Sequence, residues 1–138
     1  MIIPYILFHG ECREALDFYQ EVFGCSLKMA QPYGDYVPEG LTDLPPDLDQ
    51  WILHAELEIC ENTVWFADEA AAPTIRGDNI RLTVTVPDQK EAQELFDRFG
   101  EDKRIVLPPT KTFYSTFHAE IFDRFKIGWN IVADEMPT

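Results

Sequence analysis

The 138-residue chain is predicted to be an α+β protein made of two tandem βαβββ modules with mixed sheets. Three observations predict it. The stretch Ile52 to Glu69 returns in altered form as Thr116 to Glu135: His54-Ala55-Glu56-Leu57 precedes Trp65, His118-Ala119-Glu120-Ile121 precedes Trp129, and the His-to-Trp spacing is eleven in both. Each half opens on an apolar, β-prone run, passes into a helical pattern and stops at a glycine. After each helix come three further strand candidates, so strands come in runs rather than alternating with helices. A site is expected where the two copies meet.

Taken in order, Ile2 to Phe8 reads as a strand ending at His9-Gly10. Within Glu11 to Phe23, Ala15, Leu16, Tyr19, Val22 and Phe23 fall on one stripe at helical spacing, and Gly24 stops the helix. Leu27 to Gln31, Trp51 to Ile59 and Thr63 to Ala67 complete the first module, residues 1–75. The second, residues 76–138, repeats the order. Asn79 to Val86 is a strand and Pro87-Asp88 a helix start; Ala92, Leu95, Phe96 and Phe99 share a helix face before Gly100. Strands follow at Arg104 to Leu107, Thr116 to Phe122 and Gly128 to Ala133.

The helices align at an offset of 76 and the histidines at 64, so the first copy carries 12 extra residues. They fall within Tyr33 to Gln50, where Gly34, Pro38, Gly40, Pro45 and Pro46 interrupt any strand pairing. The insertion reads either as a lid or as a surface loop.

Period-two alternation assigns faces. Leu53, Ala55, Leu57 and Ile59 are expected to be buried, with His54, Glu56 and Glu58 opposite. Phe117, Ala119 and Ile121 are expected to be buried, with His118 and Glu120 opposite. Ile80, Leu82, Val84 and Val86 are expected to be buried, with Arg81, Thr83 and Thr85 opposite. Both copies thus put polar groups on the face away from the helix.

Eleven basic against 25 acidic residues give a net charge of −14, which disfavours nucleic acid and anionic membranes as partners. The asymmetry is informative: Met1 to Ile75 holds 14 acids and two bases, Arg76 to Thr138 holds 11 acids and nine bases, so a positively charged pocket wall is expected from the second half. Cys12, Cys25 and Cys60 cannot all pair, and no secretion signal or run of roughly 18 apolar residues is present, so free thiols in a cytoplasmic protein are expected. Cys12, near a helix start, reads as a packed thiol, with thiolate reactivity the alternative. The chain lacks a phosphate loop, Cys-x-x-Cys, His-Glu-x-x-His and Gly-x-Ser-x-Gly, and neither Ser26 nor Ser115 sits in an activating motif. Two His-x-Glu pairs could supply imidazoles and carboxylates to one divalent metal. Aromatic residues concentrate in the later strands of both copies, mostly as core, the remainder as candidates for an apolar pocket oriented by Arg81 and Asn130.

Pro4-Tyr5-Ile6-Leu7-Phe8 to Gly10, the helix from Glu14-Ala15-Leu16-Asp17-Phe18-Tyr19 to Val22-Phe23-Gly24, and the ending Asp123-Arg124-Phe125 to Trp129-Asn130-Ile131 together resemble one family. It is the PhnB-like branch of the glyoxalase/bleomycin-resistance/dioxygenase (vicinal oxygen chelate) superfamily, also labelled 3-demethylubiquinone-9 3-methyltransferase-like. No Gly-rich loop supports a methyltransferase reading. The resemblance spans essentially the whole chain and implies two modules whose sheets curl around a shared cleft, in a homodimer. Metal-dependent members of the superfamily draw four ligands from the first and last strands of each module. Here those positions fall at Pro4, at or near Arg81 and Asn130, and in Thr63 to Ala67, which holds no His, Glu or Gln. No cofactor is therefore expected. Lys126 stands where the branch commonly has glycine.

The resulting expectation is a metal-free small-molecule-binding protein, with Arg81, Asn130, His54 and His118 orienting a ligand in the cleft and Trp65, Trp129 and Tyr114 packing beside it. The rival is a lyase or dioxygenase with a displaced metal site built from His54, Glu56, His118 and Glu120. A scaffold whose dimer surface is the function is the third reading.

Overall fold

The computed structural model describes residues 1–37 and 39–138, so Pro38 of the insertion lies outside the described residues. The chain divides into two compact units, Met1–Ile75 and Arg76–Thr138. Each is a βαβββ module.

In the first unit, β1 (Tyr5–Phe8), α1 (Cys12–Phe23), β2 (Leu27–Pro32), β3 (Ile52–Ile59) and β4 (Asn62–Asp68) form a four-stranded sheet in the order β1-β4-β3-β2. β1 runs parallel to β4 and the other pairs are antiparallel, so the sheet is mixed. α1 buries Ala15, Leu16, Tyr19 and Val22 of the predicted stripe, together with Cys12, against β3 and β4, while Phe23 is only half-buried. Gly24 ends it at φ +62, its N–H donating to the Gln20 carbonyl.

The second unit repeats this with β5 (Leu82–Val86), α2 (Gln89–Arg98), β6 (Arg104–Thr110), β7 (His118–Phe122) and β8 (Gly128–Ala133), in the order β5-β8-β7-β6. Ala92, Leu95, Phe96 and Phe99 are buried, and Phe99 lies 5.8 Å from the Trp129 ring. Pro108 and Pro109 fall in β6, an edge strand, where a missing N–H does least harm.

The helices begin differently. Asp88 caps α2 by accepting from the Glu91 N–H at 2.9 Å, and the Glu135 carboxylate accepts from Gln89 N–H at 2.8 Å. Glu11 offers α1 no side-chain cap. The carboxylate of Asp68, buried at the end of β4, takes over: it accepts from the Gly10 and Cys12 N–H groups at 2.8 and 3.1 Å and from Ile52 N–H at 2.9 Å.

The insertion is anchored at both ends by 3₁₀ turns, Tyr33–Asp35 and Leu48–Gln50. Tyr33, Leu48, Trp51 and Ala70 form a small core of their own, joined by Leu41 and Leu53. The Tyr33 hydroxyl donates to the Asp68 carbonyl, Arg13 donates to the Gln50 carbonyl, and His9 packs edge-on against Trp51. Gly10, at φ +95, is required there, since a Cβ would meet the Trp51 ring at 2.9 Å.

Two face assignments change. Ile80 is 80% exposed because β5 starts only at Leu82, leaving it outside the ladder. Leu53 joins the insertion's core as a half-buried residue, and Ile52 is buried instead, because the β2–β3 register shifts between Gln31 and Pro32.

Candidate functional site

The two hairpins that carry the repeat reverse differently, and this decides which side chains share a face. Between β3 and β4 the chain turns through Cys60 and Glu61, and Glu56 pairs with Trp65. Between β7 and β8 it turns through five residues, Asp123 to Ile127, and Glu120 pairs with Asn130. The structural counterpart of Trp65 is therefore Asn130, not Trp129. The equal His-to-Trp spacing conceals a one-residue slip, and a one-residue slip exchanges faces. Trp129 instead pairs with the buried Ile121 on the helix side, 2% exposed, with its indole N–H on the Asp123 carboxylate at 2.8 Å. The expectation of Trp129 beside a ligand thus gives way to a core role.

On the face away from α1, the first unit presents Tyr5, Trp65, His54 and Glu56. Tyr5 pairs with Trp65 across the parallel strands, and the rings meet edge to face at 6.0 Å. His54 packs edge-on against Trp65 at 4.9 Å, and its Nε2 lies 3.1 Å from the Glu56 carboxylate. Burial and the neighbouring Glu69 charge push the Tyr5 phenol above its usual range.

On the face away from α2, four polar side chains form a chain of hydrogen bonds. The Tyr114 hydroxyl lies on His118 Nδ1, His118 Nε2 lies 2.9 Å from Asn130 Oδ1, and Asn130 Nδ2 donates to Thr83 Oγ1 at 3.4 Å. In the neutral ring, Nε2–H donates to Asn130 and Nδ1 accepts from Tyr114, so both imidazole nitrogens are used. Beside it, Arg81 donates to Glu120 at 3.3 Å and to the Asp78 carbonyl, and its guanidinium stacks 5.0 Å from the Phe122 ring. Arg81 precedes β5; the residue opposite Asn130 is Thr83.

Of the predicted site residues, Tyr114, His118 and Asn130 are brought into direct contact, with Arg81 tied to the neighbouring Glu120, while His54 and Trp65 group in the first unit with Tyr5. Sequence reasoning missed Tyr5 and Thr83 as site residues. For Thr83 the signal was present, since alternation places it on the outward face with Arg81, whereas Tyr5 lies in a strand whose faces were not assigned.

The family's metal site does not fit these residues. Tyr5, Trp65, Thr83 and Asn130 occupy the paired, outward positions of the first and last strands of the two units, and none is an imidazole or a carboxylate. The Pro4 carbonyl accepts the Trp65 N–H. Each proposed displaced ligand already has a partner within its own unit, and among the described residues no group of three or more His, Cys, Asp or Glu is placed to hold a metal ion.

Two mixed βαβββ modules with side chains gathered on the faces opposite the helices define the glyoxalase class of fold. The family model for the glyoxalase/bleomycin resistance protein/dioxygenase superfamily matches residues 2–131, and the chain belongs to that superfamily. It is 26% identical to protein YjdN of Escherichia coli K12, over 98% of this chain and 97% of that one. Among solved structures it is similar to PA1353 of Pseudomonas aeruginosa, with 27% identity, 97% of both chains covered and a TM-score of 0.82. A PhnB protein from Bacillus cereus shares the fold at a TM-score of 0.78 and 19% identity, over 96% of this chain and 98% of that one.

Proposed function

We propose that the chain is a metal-free small-molecule-binding protein, whose ligand lies against the polar face opposite α2 in the second unit and is oriented by Tyr114, His118, Asn130 and Thr83. One observation carries the reading: the groups that could ligate a metal are already hydrogen-bonded in pairs, whereas Tyr114 and Thr83, the two ends of the Tyr114–His118–Asn130–Thr83 chain, are exposed residues. Such a row offers a ligand ordered donors and acceptors at no further cost in side-chain entropy.

Titration calorimetry with Zn²⁺ and Ni²⁺, together with metal analysis of dialysed protein, tests the first half. No stoichiometric ion is expected. One tightly held ion per chain, lost in His118→Ala, overturns the reading in favour of a metal-dependent lyase or dioxygenase. Thermal-shift screening with phenols and aromatic carboxylates tests the second half, with at least one stabilising compound expected whose effect disappears in Asn130→Leu.

A homodimer belongs to the same proposal. Ile2, Ile75, Ile80 and Phe113 are each at least 80% exposed in the single chain, and exposed apolar groups of this size favour burial against a partner. Light scattering is expected to give twice the chain mass of 15.9 kDa; a monomer rules the dimer out.

A further inference from the structure

Four of the eleven basic residues of this acidic chain, Arg76, Arg104, Arg124 and Lys126, line one open depression of about 510 Å³ in the second unit. It lies at the β7–β8 turn, separate from the Tyr114–His118–Asn130 row. Its acidic members are Asp78, Asp102 and Asp123. Asp123 is buried and committed to the turn, accepting from the Phe125 and Ile127 N–H groups and from the Trp129 indole. Three aspartates thus stand against four cations, a small positive excess in a protein whose net charge of −14 makes such a cluster the reverse of its average surface.

One of the cations is held in place. The Arg104 guanidinium lies over the Phe122 ring at 4.6 Å, which limits its plane. Arg81 packs on the same ring, a close fit that Gly128 permits, since a Cβ there would stand 2.7 Å from the Arg81 side chain and 3.1 Å from Phe122. Lys126 has φ +67, a conformation glycine takes freely and lysine does not. Backbone strain of this kind persists where surrounding structure imposes it, and it gathers at ligand sites.

We propose that this depression binds an oxyanion of the phosphate class, either free or as the terminal group of a metabolite, with Arg104 and Lys126 as direct contacts and Arg76 and Arg124 adding positive charge. A guanidinium meets two phosphate oxygens at once, and an ammonium supplies a compact charge beside it.

The test is titration of the full chain at low ionic strength with inorganic phosphate and, separately, phenyl phosphate, followed by amide NMR shifts. Saturable shifts confined to 76–78, 102–104 and 122–128 are expected. Equal affinity for both compounds identifies the free anion as ligand, and phenyl phosphate binding about tenfold tighter identifies a phosphorylated metabolite. Lys126→Gly is expected to weaken binding roughly tenfold while the melting temperature holds or rises, which separates loss of a contact from loss of fold. Arg104→Gln is expected to weaken binding as much, whereas Lys28→Gln, the same charge change in the first unit, leaves it unaltered. Non-saturating or scattered shifts, or equal affinity in Lys126→Gly, Arg104→Gln and Lys28→Gln, overturn the proposal.

Discussion

Cys12 shows how position overrides residue type. A thiol at a helix start is favoured as a thiolate, yet here it is fully buried beside the Asp68 carboxylate, and both desolvation and that charge push its pKa far above the ordinary thiol value of 9.0. Stability therefore depends on alkali in a defined direction. Above pH 9 the unfolded chain loses this proton and the folded chain keeps it, so the contribution is complete below pH 9 and falls by up to about 1.4 kcal/mol for each pH unit above it. Urea midpoints from pH 8 to 10.5 are expected to fall more steeply in wild type than in Cys12→Ala; parallel curves would remove the effect. In the native protein a thiol reagent is expected to react rapidly with exposed Cys60 and to reach Cys12 only on unfolding. Ser115 likewise is structural: it is buried, accepts from Phe117 N–H and donates to the Ala133 carbonyl at 2.6 Å. The packed reading of Cys12 was the expected one over thiolate reactivity, although the residue lay outside the predicted helix stripe. The role of Asp68 had no such signal, because its partners are backbone groups 16 to 58 residues away.

Among the elements, the strands and helices were legible because each pairs a simple period with a stop. α1 and its glycine, α2 and its Asp88, and the alternating β7 stand where the pattern put them, as does β3 from His54 onward. The faces of β4 and β8 were less legible, since they depend on how many residues reverse the chain before them. The β3–β4 turn places both Cys60 (φ +49) and Glu61 (φ +69) in the left-handed region without a glycine. Glu61→Gly is expected to stabilise the protein by about 1 kcal/mol, read from the denaturant midpoint. The two helix starts predict unequal mutants. Asp88→Ala removes an ordinary cap and is expected to cost about 1 kcal/mol. Asp68→Ala strands three backbone donors at once and is expected to cost roughly 3 kcal/mol or more, with amide exchange accelerated at Gly10, Cys12 and Ile52 together. Equal losses in the two variants would show that Asp68 does no more than cap.

At the scale of the whole molecule, the excess of 14 negative charges acts on every element together. Self-repulsion of this size destabilises a compact state and is screened by salt, the Debye length falling from about 10 Å at 0.1 M to about 3 Å at 1 M. Added sodium chloride is therefore expected to raise the melting temperature between 0.05 and 0.5 M; a flat or falling curve would mean that local pairs such as Arg81–Glu120 outweigh the net repulsion. The nine bases gathered after Ile75 were visible in the sequence, and four of them line the depression in the second unit. Which cations meet there was not visible, because Arg76, Arg104, Arg124 and Lys126 come from separate segments joined only by folding. No helix among the described residues is long and apolar enough to cross a membrane.

The unequal reversals after β3 and β7 also bear on descent. When a gene doubles, its halves begin with identical commitments, and point changes must alter one side chain at a time. A single codon gained or lost in a hairpin turn does more: every residue of the following strand trades inside for outside at one stroke. The two copies of the His-Ala-Glu strand have stayed in step, while the strands after them have drifted one place apart, so an aromatic residue faces outward in one copy where the other presents an amide. Insertions at turns, more than substitutions within strands, are then the events by which duplicated halves of this fold take up separate duties, and comparisons made by ungapped words will pair residues that no longer do the same work.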